Sequence, residues 1–280
     1  MPPKKDILEY QNYKCYSNCR PSDTNKPSVG LALFIKKEYS TGIKVIDKSH
    51  PDIIWIKLEK TFFHFEKDLY ICFLYISPLN SCYTKRTSCD KVIFEKLERD
   101  IMKYSLIGEI SIMGDLNAHI RSTDLDYITS EMNDVLDNFL PSNYVADTVY
   151  KNRNTEITQS TNEYGRLILD LCNEAQLRIL NGRTLGDSRG KVTLYSYNGT
   201  AITDYCICSS NILPRVLSFS VGELNPILSD HCSISVSLQV FNDKASSSGL
   251  HEPIRKPVIW NSMKENMFKT YIQSDHFVKS

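Results

Sequence analysis

The sequence predicts a mixed α/β domain in which two β-sheets pack face to face with helices outside. Three observations carry that prediction. Apolar runs of strand length come early, at residues 29–35, 53–58 and 69–76. A helix, a strand, a second helix and several short β segments then follow, and the helices are too few for a strictly alternating doubly wound sheet. Finally, the chain has 280 residues, 41% of them hydrophobic, which suits one large domain with a real core.

Each element has its own signal. Residues 1–27 are polar and turn-rich, ending in Pro21-Ser22-Asp23-Thr24-Asn25-Lys26-Pro27, and form a separate N-terminal segment with no apolar strand. The domain proper spans 28–240. Its first run, Val29-Gly30-Leu31-Ala32-Leu33-Phe34-Ile35, reads as a buried strand, and its third stops at Ser77-Pro78. Asp90 is a good helix N-cap, with Ile93, Phe94, Leu97 and Ile101 on one helical face behind it. Ile110-Ser111-Ile112-Met113 is a strand leading to Gly114. Residues 118–161 are polar and weakly periodic, as expected of a long surface excursion. Residues 162–177 read as a helix with the stripe Leu167, Ile168, Leu171 and Ala175. Short β signals follow at 178–180, 193–197, 202–208 and 214–220, and a last strand follows His231. Residues 241–280 form a linker, Asn242-Asp243-Lys244-Ala245-Ser246-Ser247-Ser248-Gly249, and a tail with Trp260 and a short helix over 262–272.

Bulk chemistry narrows the function. No apolar run reaches the ~20 residues that span a bilayer, and the N-terminus lacks the apolar core of a signal peptide. A nuclear or cytoplasmic protein, not secreted and with no membrane partner, is expected. Nine cysteines at irregular spacings, among them Cys15, Cys19, Cys206 and Cys208, lack the paired pattern of a zinc site and suit a reducing compartment. Lys and Arg total 33 and so do Asp and Glu, so any basic surface for nucleic acid must be local.

Two carboxylate motifs end or begin apolar strands: Gly114-Asp115-Leu116-Asn117-Ala118-His119 and Ser229-Asp230-His231. Phosphodiester hydrolysis needs a polarised phosphorus, an oriented water and stabilisation of the leaving oxygen. A hard divalent ion supplies much of this and prefers carboxylate and water ligands. Asp230 is a plausible ligand. Asp115 can orient or deprotonate the water. Asn117, on the same side of a continuing strand, can hydrogen-bond a phosphate oxygen. His231 can donate to a non-bridging oxygen, and Asp204, in Ile202-Thr203-Asp204-Tyr205, can hold its imidazole in one tautomer. Tyr75 offers a phenolic donor at a strand end. The tripeptide alone is uninformative, because Ser274-Asp275-His276 repeats it without an apolar strand. The ordered combination carries the signal.

That combination resembles the endonuclease/exonuclease/phosphatase superfamily, and within it the apurinic-endonuclease-like domain of LINE-type (non-LTR) retrotransposons. The matching residues, in family order, are Tyr75-Ile76-Ser77-Pro78, Gly114 to His119, Asn162-Glu163-Tyr164-Gly165-Arg166-Leu167, Asn181-Gly182-Arg183-Thr184, Thr203-Asp204-Tyr205 and Ser229-Asp230-His231. The resemblance implies a four-layer α/β sandwich of two mixed sheets flanked by helices. It implies Tyr75, Asp115, Asn117, Asp204 and His231 as catalytic residues and Asp230 as a metal ligand. Mg²⁺ or Mn²⁺ is the implied cofactor, with no small-molecule cofactor, and duplex DNA the implied partner. The implied activity is DNA nicking; the same scaffold also serves phosphatases and RNA deadenylases. Two family motifs, a strand ending in Asn and a strand ending in the metal-binding Glu, have no counterpart upstream of Val29. Glu9 is the only glutamate there and lacks an apolar run before it. The expectation is a chain that begins just after the Glu motif, lacks the first strands and is impaired as a nuclease, or is a non-catalytic remnant.

Overall fold

The structure is a computed structural model that describes residues 9–10, 12–20, 30–87, 89–127 and 152–240. The expected linker and tail, and most of the expected excursion, lie outside the described residues. The strands are β1 (Glu9–Tyr10), β2 (Tyr13–Cys19), β3 (Gly30–Lys36), β4 (Ile43–Asp47), β5 (Ile53–Leu58), β6 (Asp68–Tyr75), β7 (Gly108–Asp115), β8 (Leu177–Ile179), β9 (Leu194–Ser196), β10 (Gly199–Ala201), β11 (Asp204–Ser209), β12 (Val216–Val221) and β13 (Ile234–Leu238). The helices are α1 (Lys60–Phe63), α2 (Cys82–Thr87), α3 (Cys89–Ser105) and α4 (Glu163–Glu174).

The central sheet is six-stranded, in the order β4-β5-β6-β7-β11-β8. Only β6 and β7 run parallel; α3 makes the crossover between them. Alternate residues of these strands face opposite sides. One side carries Trp55, Leu74, Ile110, Ile112 and Ile207 against Ile93, Phe94, Leu97 and Ile101 of α3 and Ile168 and Cys172 of α4. The other carries Leu69, Cys206 and Cys208 against Phe219 and Val221 of the β12–β13 pair. Burying each large apolar side chain contributes about 1.5–3 kcal/mol. The sheet is therefore anchored from both faces, and its polar strand ends inherit that rigidity. The result is a mixed sheet with flanking helices and a second strand layer.

Several local expectations are revised. Residues 13–19 form a strand despite their polar composition, pairing with β3 from Tyr13↔Lys36 to Cys19↔Gly30. Only Cys15 of that strand is buried. Backbone pairing, not an apolar run, makes it a strand, and Asn18 fastens it by donating to the carbonyls of Lys48 and His50. The partner β3 is less buried than its apolar run suggests, with Ile35 buried and Phe34 half exposed. The helix expected behind Asp90 begins at Cys89, so Asp90 lies inside its first turn. In α4 the buried face is Tyr164, Gly165, Ile168, Leu169 and Cys172, one step round from the expected stripe, leaving Leu167 at the surface. Asn162 is the N-cap there, accepting from the Gly165 amide at 2.7 Å.

Gly114 shows why the end of β7 requires glycine. Its φ is +152°, and a Cβ there would overlap the Leu74 carbonyl oxygen of the parallel neighbour. Gly114→Ala is expected to cost about 3 kcal/mol or more, because the clash is with backbone that sits in a ladder and cannot yield. Urea unfolding of the variant measures this; a loss below about 1 kcal/mol would show that the strand end relaxes freely.

Candidate active site

Three strand ends meet in register at one rim of the sheet. Tyr75 of β6 pairs with Asp115 of β7, and Asp115 pairs with Asp204 of β11. Register partners in neighbouring strands point to the same face, so all three side chains enter the space between the central sheet and the β12–β13 layer. Backbone bonds fix the rim: Ile76 N–H donates to the Asp115 carbonyl at 2.8 Å and Leu116 N–H to the Thr203 carbonyl at 2.9 Å.

His231 arrives just before β13 and completes the group. Its Nδ1 lies 2.8 Å from Asp204 Oδ2, and its Nε2 lies 4.0 Å from Asp115 Oδ2. An ionised Asp204 accepts only, so Nδ1 carries the hydrogen and Nε2 is turned toward the cleft. The His231 segment is held by a bridge to Leu194 and by Tyr195 N–H donating to the Asp230 carbonyl.

The charge state follows from this crowding. Burial raises the Asp115 carboxyl first, and the facing Asp204 charge raises it further, to about 7 despite the hydrogen bonds from Asn117. Burial of His231 opposes its protonation. The Asp204 hydrogen bond and the charges of Asp204, Asp115 and Asp230 outweigh that and raise its pKa. Tyr75 is raised too, by burial and then by the Asp115 charge, so its phenol keeps its proton at neutral pH.

Asn117 is in place for a different reason from the one expected. β7 ends at Asp115, and Asn117 adopts a left-handed φ of +45° in the turn that follows. Its side-chain amide donates to the Ile76 carbonyl at 2.8 Å and to Asp115 Oδ2 at 3.1 Å, and its backbone N–H donates to Asp115 Oδ1 at 3.0 Å. Both amide hydrogens are engaged, so Asn117 holds Asp115 instead of presenting a donor to the cleft. Asp230 is also placed differently from the others. It is exposed beside His231 and stands outside the group formed by Asp115, Asp204 and His231, whose ligand atoms lie within 4.8 Å of one another. Glu9 is the first residue of β1.

One supporting residue escaped the sequence reading, and a second was read there only as part of a motif. Thr193 is fully buried, and its Oγ1 accepts from the backbone N–H of Thr203 and of Asp204 at 3.0 and 3.1 Å. Asn181 donates to the Asp204 carbonyl at 2.9 Å and accepts from the Cys206 N–H at 3.1 Å. Asn181 sits in a recognised motif. Thr193, flanked by Val192 and Leu194, gives no local sign of its task.

Two carboxylates and an imidazole make an oxygen-rich donor set that suits a hard divalent cation. The raised proton affinity of Asp115 marks a surplus of negative charge that such an ion would neutralise.

No family model matches the chain, and no curated protein matches it. Solved structures do. The endonuclease domain of TRAS1, a telomere-specific non-LTR retrotransposon, superposes with a TM-score of 0.50 at 14% identity, over 82% of this chain and 80% of that one. A 3′ phosphatase (NExo) from Neisseria bound to a product DNA hairpin gives 0.43 at 12% identity, over 70% of each chain. The 3′-5′ exonuclease (NExo) from Neisseria meningitidis gives 0.42 at 12% identity, again over 70% of each.

The Asp115–Asp204 opposition sets a pH dependence. The folded-state pKa of Asp115 lies above its ordinary value of 3.8, so folding binds a proton between there and about 7, and stability falls as pH rises through that window. The raised pKa of His231 acts in the same direction, its contribution being lost as pH climbs through the folded value. Asp115→Asn should therefore melt above wild type near about pH 8, with the gap closing toward about pH 4. Mg²⁺ should raise the wild-type melting temperature at the higher pH and raise that of Asp115→Asn less. A variant less stable than wild type at both pH values would show that the carboxylates do not oppose each other.

Proposed function

We propose that this chain carries a phosphodiester-hydrolysing site that acts on DNA, nicking the duplex as a non-LTR retrotransposon endonuclease does. The observation that carries the reading is the in-register row Tyr75–Asp115–Asp204 closed by His231. The superposed TRAS1 endonuclease domain, matched over most of both chains, supports the same reading through the fold.

Each group has a role that its environment suits. Asp115, whose burial and facing Asp204 charge raise its proton affinity, takes a proton from the attacking water as general base. His231, its proton affinity raised by the Asp204 hydrogen bond, directs Nε2–H in its protonated form at a non-bridging phosphate oxygen as that oxygen gains charge. Tyr75, protonated at neutral pH, donates to the phosphate or the leaving oxygen from the neighbouring strand. Asn117 and Thr193 hold the two carboxylates in place. Asp204, with Asp230 at the mouth, would hold Mg²⁺ or Mn²⁺ beside Asp115; the ion would polarise the phosphorus centre and neutralise developing charge.

Incubating the purified chain with supercoiled plasmid, polyadenylate and inositol phosphates, with Mg²⁺ or with chelator, tests the reading. Nicked plasmid should form with Mg²⁺ and not with chelator. Asp204→Ala and His231→Ala should each slow nicking by about 10²–10⁴-fold. Asp230→Ala tests the expected ligand separately. Cleavage of inositol phosphates alone would make the chain a phosphatase, and nicking indifferent to Asp204 and His231 would remove this site from the reaction.

A further inference from the structure

Ile227 and Leu228 form an exposed apolar pair that neither the core nor the site uses. Their side chains are 91% and 81% exposed, although the turn that carries them leads directly into Asp230 and His231. That turn is held by its own hydrogen bonds. The Asn225 carbonyl accepts from the amides of Leu228 and Ser229 at 2.9 and 3.1 Å, and Asn225 Oδ1 accepts from the Ile227 amide at 3.2 Å. Ser229 Oγ accepts from the His231 amide at 3.0 Å. Before the turn, Leu224 packs against the core between the central sheet and the β12–β13 pair. After it, Tyr195 N–H donates to the Asp230 carbonyl and Leu194 bridges to His231. One leucine of the segment is thus folded inward, while an isoleucine and a leucine are held out beside the site.

Their position limits what can cover them. A chain spans at most about 3.6 Å per residue, so the Cα atoms of Ile227 and Leu228 lie within about 14 and 11 Å of that of His231. Successive nucleotides of a strand rise about 3.4 Å, so a duplex whose phosphate reaches His231 passes the pair within about four base steps. Aliphatic side chains have nothing to offer a phosphate, and the apolar surface of a duplex is its base faces. Proteins reach those faces by inserting Leu, Ile or similar side chains between base steps, which partly unstacks them and kinks the duplex. The chain carries no net charge to hold a polyanion at range, so contact with bases supplies a grip that charge does not.

We infer that Ile227 and Leu228 are a wedge that enters the base stack of duplex DNA beside the phosphate brought to His231. The inference rests on the DNA-nicking reading above and deepens it, because the substrate becomes a duplex unstacked near the cut.

The full chain is tested on two duplexes of one sequence, the first fully paired and the second mismatched beside the mapped nick. Ile227→Ser/Leu228→Ser should nick the paired duplex roughly tenfold more slowly than wild type does, and the mismatched duplex, already unstacked, nearly as fast. Ile227→Met/Leu228→Met keeps the apolar bulk and should match wild type on both. Melting temperatures of both variants should equal that of wild type, since neither side chain is packed. Equal loss on the two duplexes, or no loss on either, overturns the inference. A second measurement needs no cleavage. With Ca²⁺ in place of Mg²⁺, duplexes carrying the fluorescent base analogue aminopurine, stepped along one strand, should brighten where the base unstacks, with wild type and not with the serine variant. Brightening by a chain that nicks nothing would support the wedge and defeat the hydrolase reading. Nicking without brightening would defeat the wedge alone, and the absence of both would defeat both.

Discussion

Two carboxylates, Asp115 and Asp204, face each other across the end of an antiparallel strand pair, and the rest of the rim is organised around holding them there. Like charges directly opposite in a sheet destabilise it, and burial sharpens the repulsion. The molecule meets that cost with fixed donors. Asn117 gives Asp115 two hydrogen bonds, and His231 gives Asp204 one. Thr193 and Asn181 lock the Asp204 backbone from behind. Much of the repulsion survives as the shifted proton affinities of Asp115 and His231, which are the properties a proton-transferring site needs.

The same rim is braced from the helix side by one residue. Asn162 caps α4 by accepting from the Gly165 amide, accepts from the His119 amide at 3.0 Å, and donates to the Asn117 carbonyl at 3.1 Å. The helix start and the turn after β7 are therefore tied together through one side chain. Gly165 permits this closeness, since a Cβ there would overlap the His119 carbonyl oxygen. The turn that supports Asp115 is thus connected to the helix-side core through α4, whose Ile168 and Cys172 are buried in that core.

The fold class and the motif residues were legible because they follow local rules. Apolar strands such as residues 69–75 announce themselves, and a Gly-Asp pair after an apolar run marks a strand end. Other features depend on partners distant in the chain. Residues 13–19 read as polar and turn-rich because their strand character comes from pairing with β3, which no local pattern records. The buried face of α4 was misread by one position because Gly165 packs against the turn after β7 and Tyr164 against Phe94 of α3, rather than against the sheet alone. Asn117 was placed on the right side by a strand argument, although a left-handed turn puts it there. Arg20 stood in a segment read as polar and turn-rich, and a buried arginine looks like a surface one until its donations to Asp52 Oδ1 and Ser77 Oγ are seen.

The site's charge also constrains what it can bind. The chain as a whole has no net charge, so no long-range field draws in a polyanion. The cleft itself presents Asp115, Asp204 and Asp230, and Arg20, a buried cation over the Tyr75 ring, is paired with Asp52. A phosphodiester approaching such a surface meets repulsion from the residues proposed to act on it, and one imidazole, even when protonated, offsets only part of that. The proposed divalent cation and the proposed substrate are therefore one hypothesis. Without a cation between them, carboxylates and phosphate repel; with one, the same carboxylates become the means of bringing phosphate to the base. A site of this composition that bound DNA tightly in the absence of any divalent ion would need a source of positive charge other than these residues.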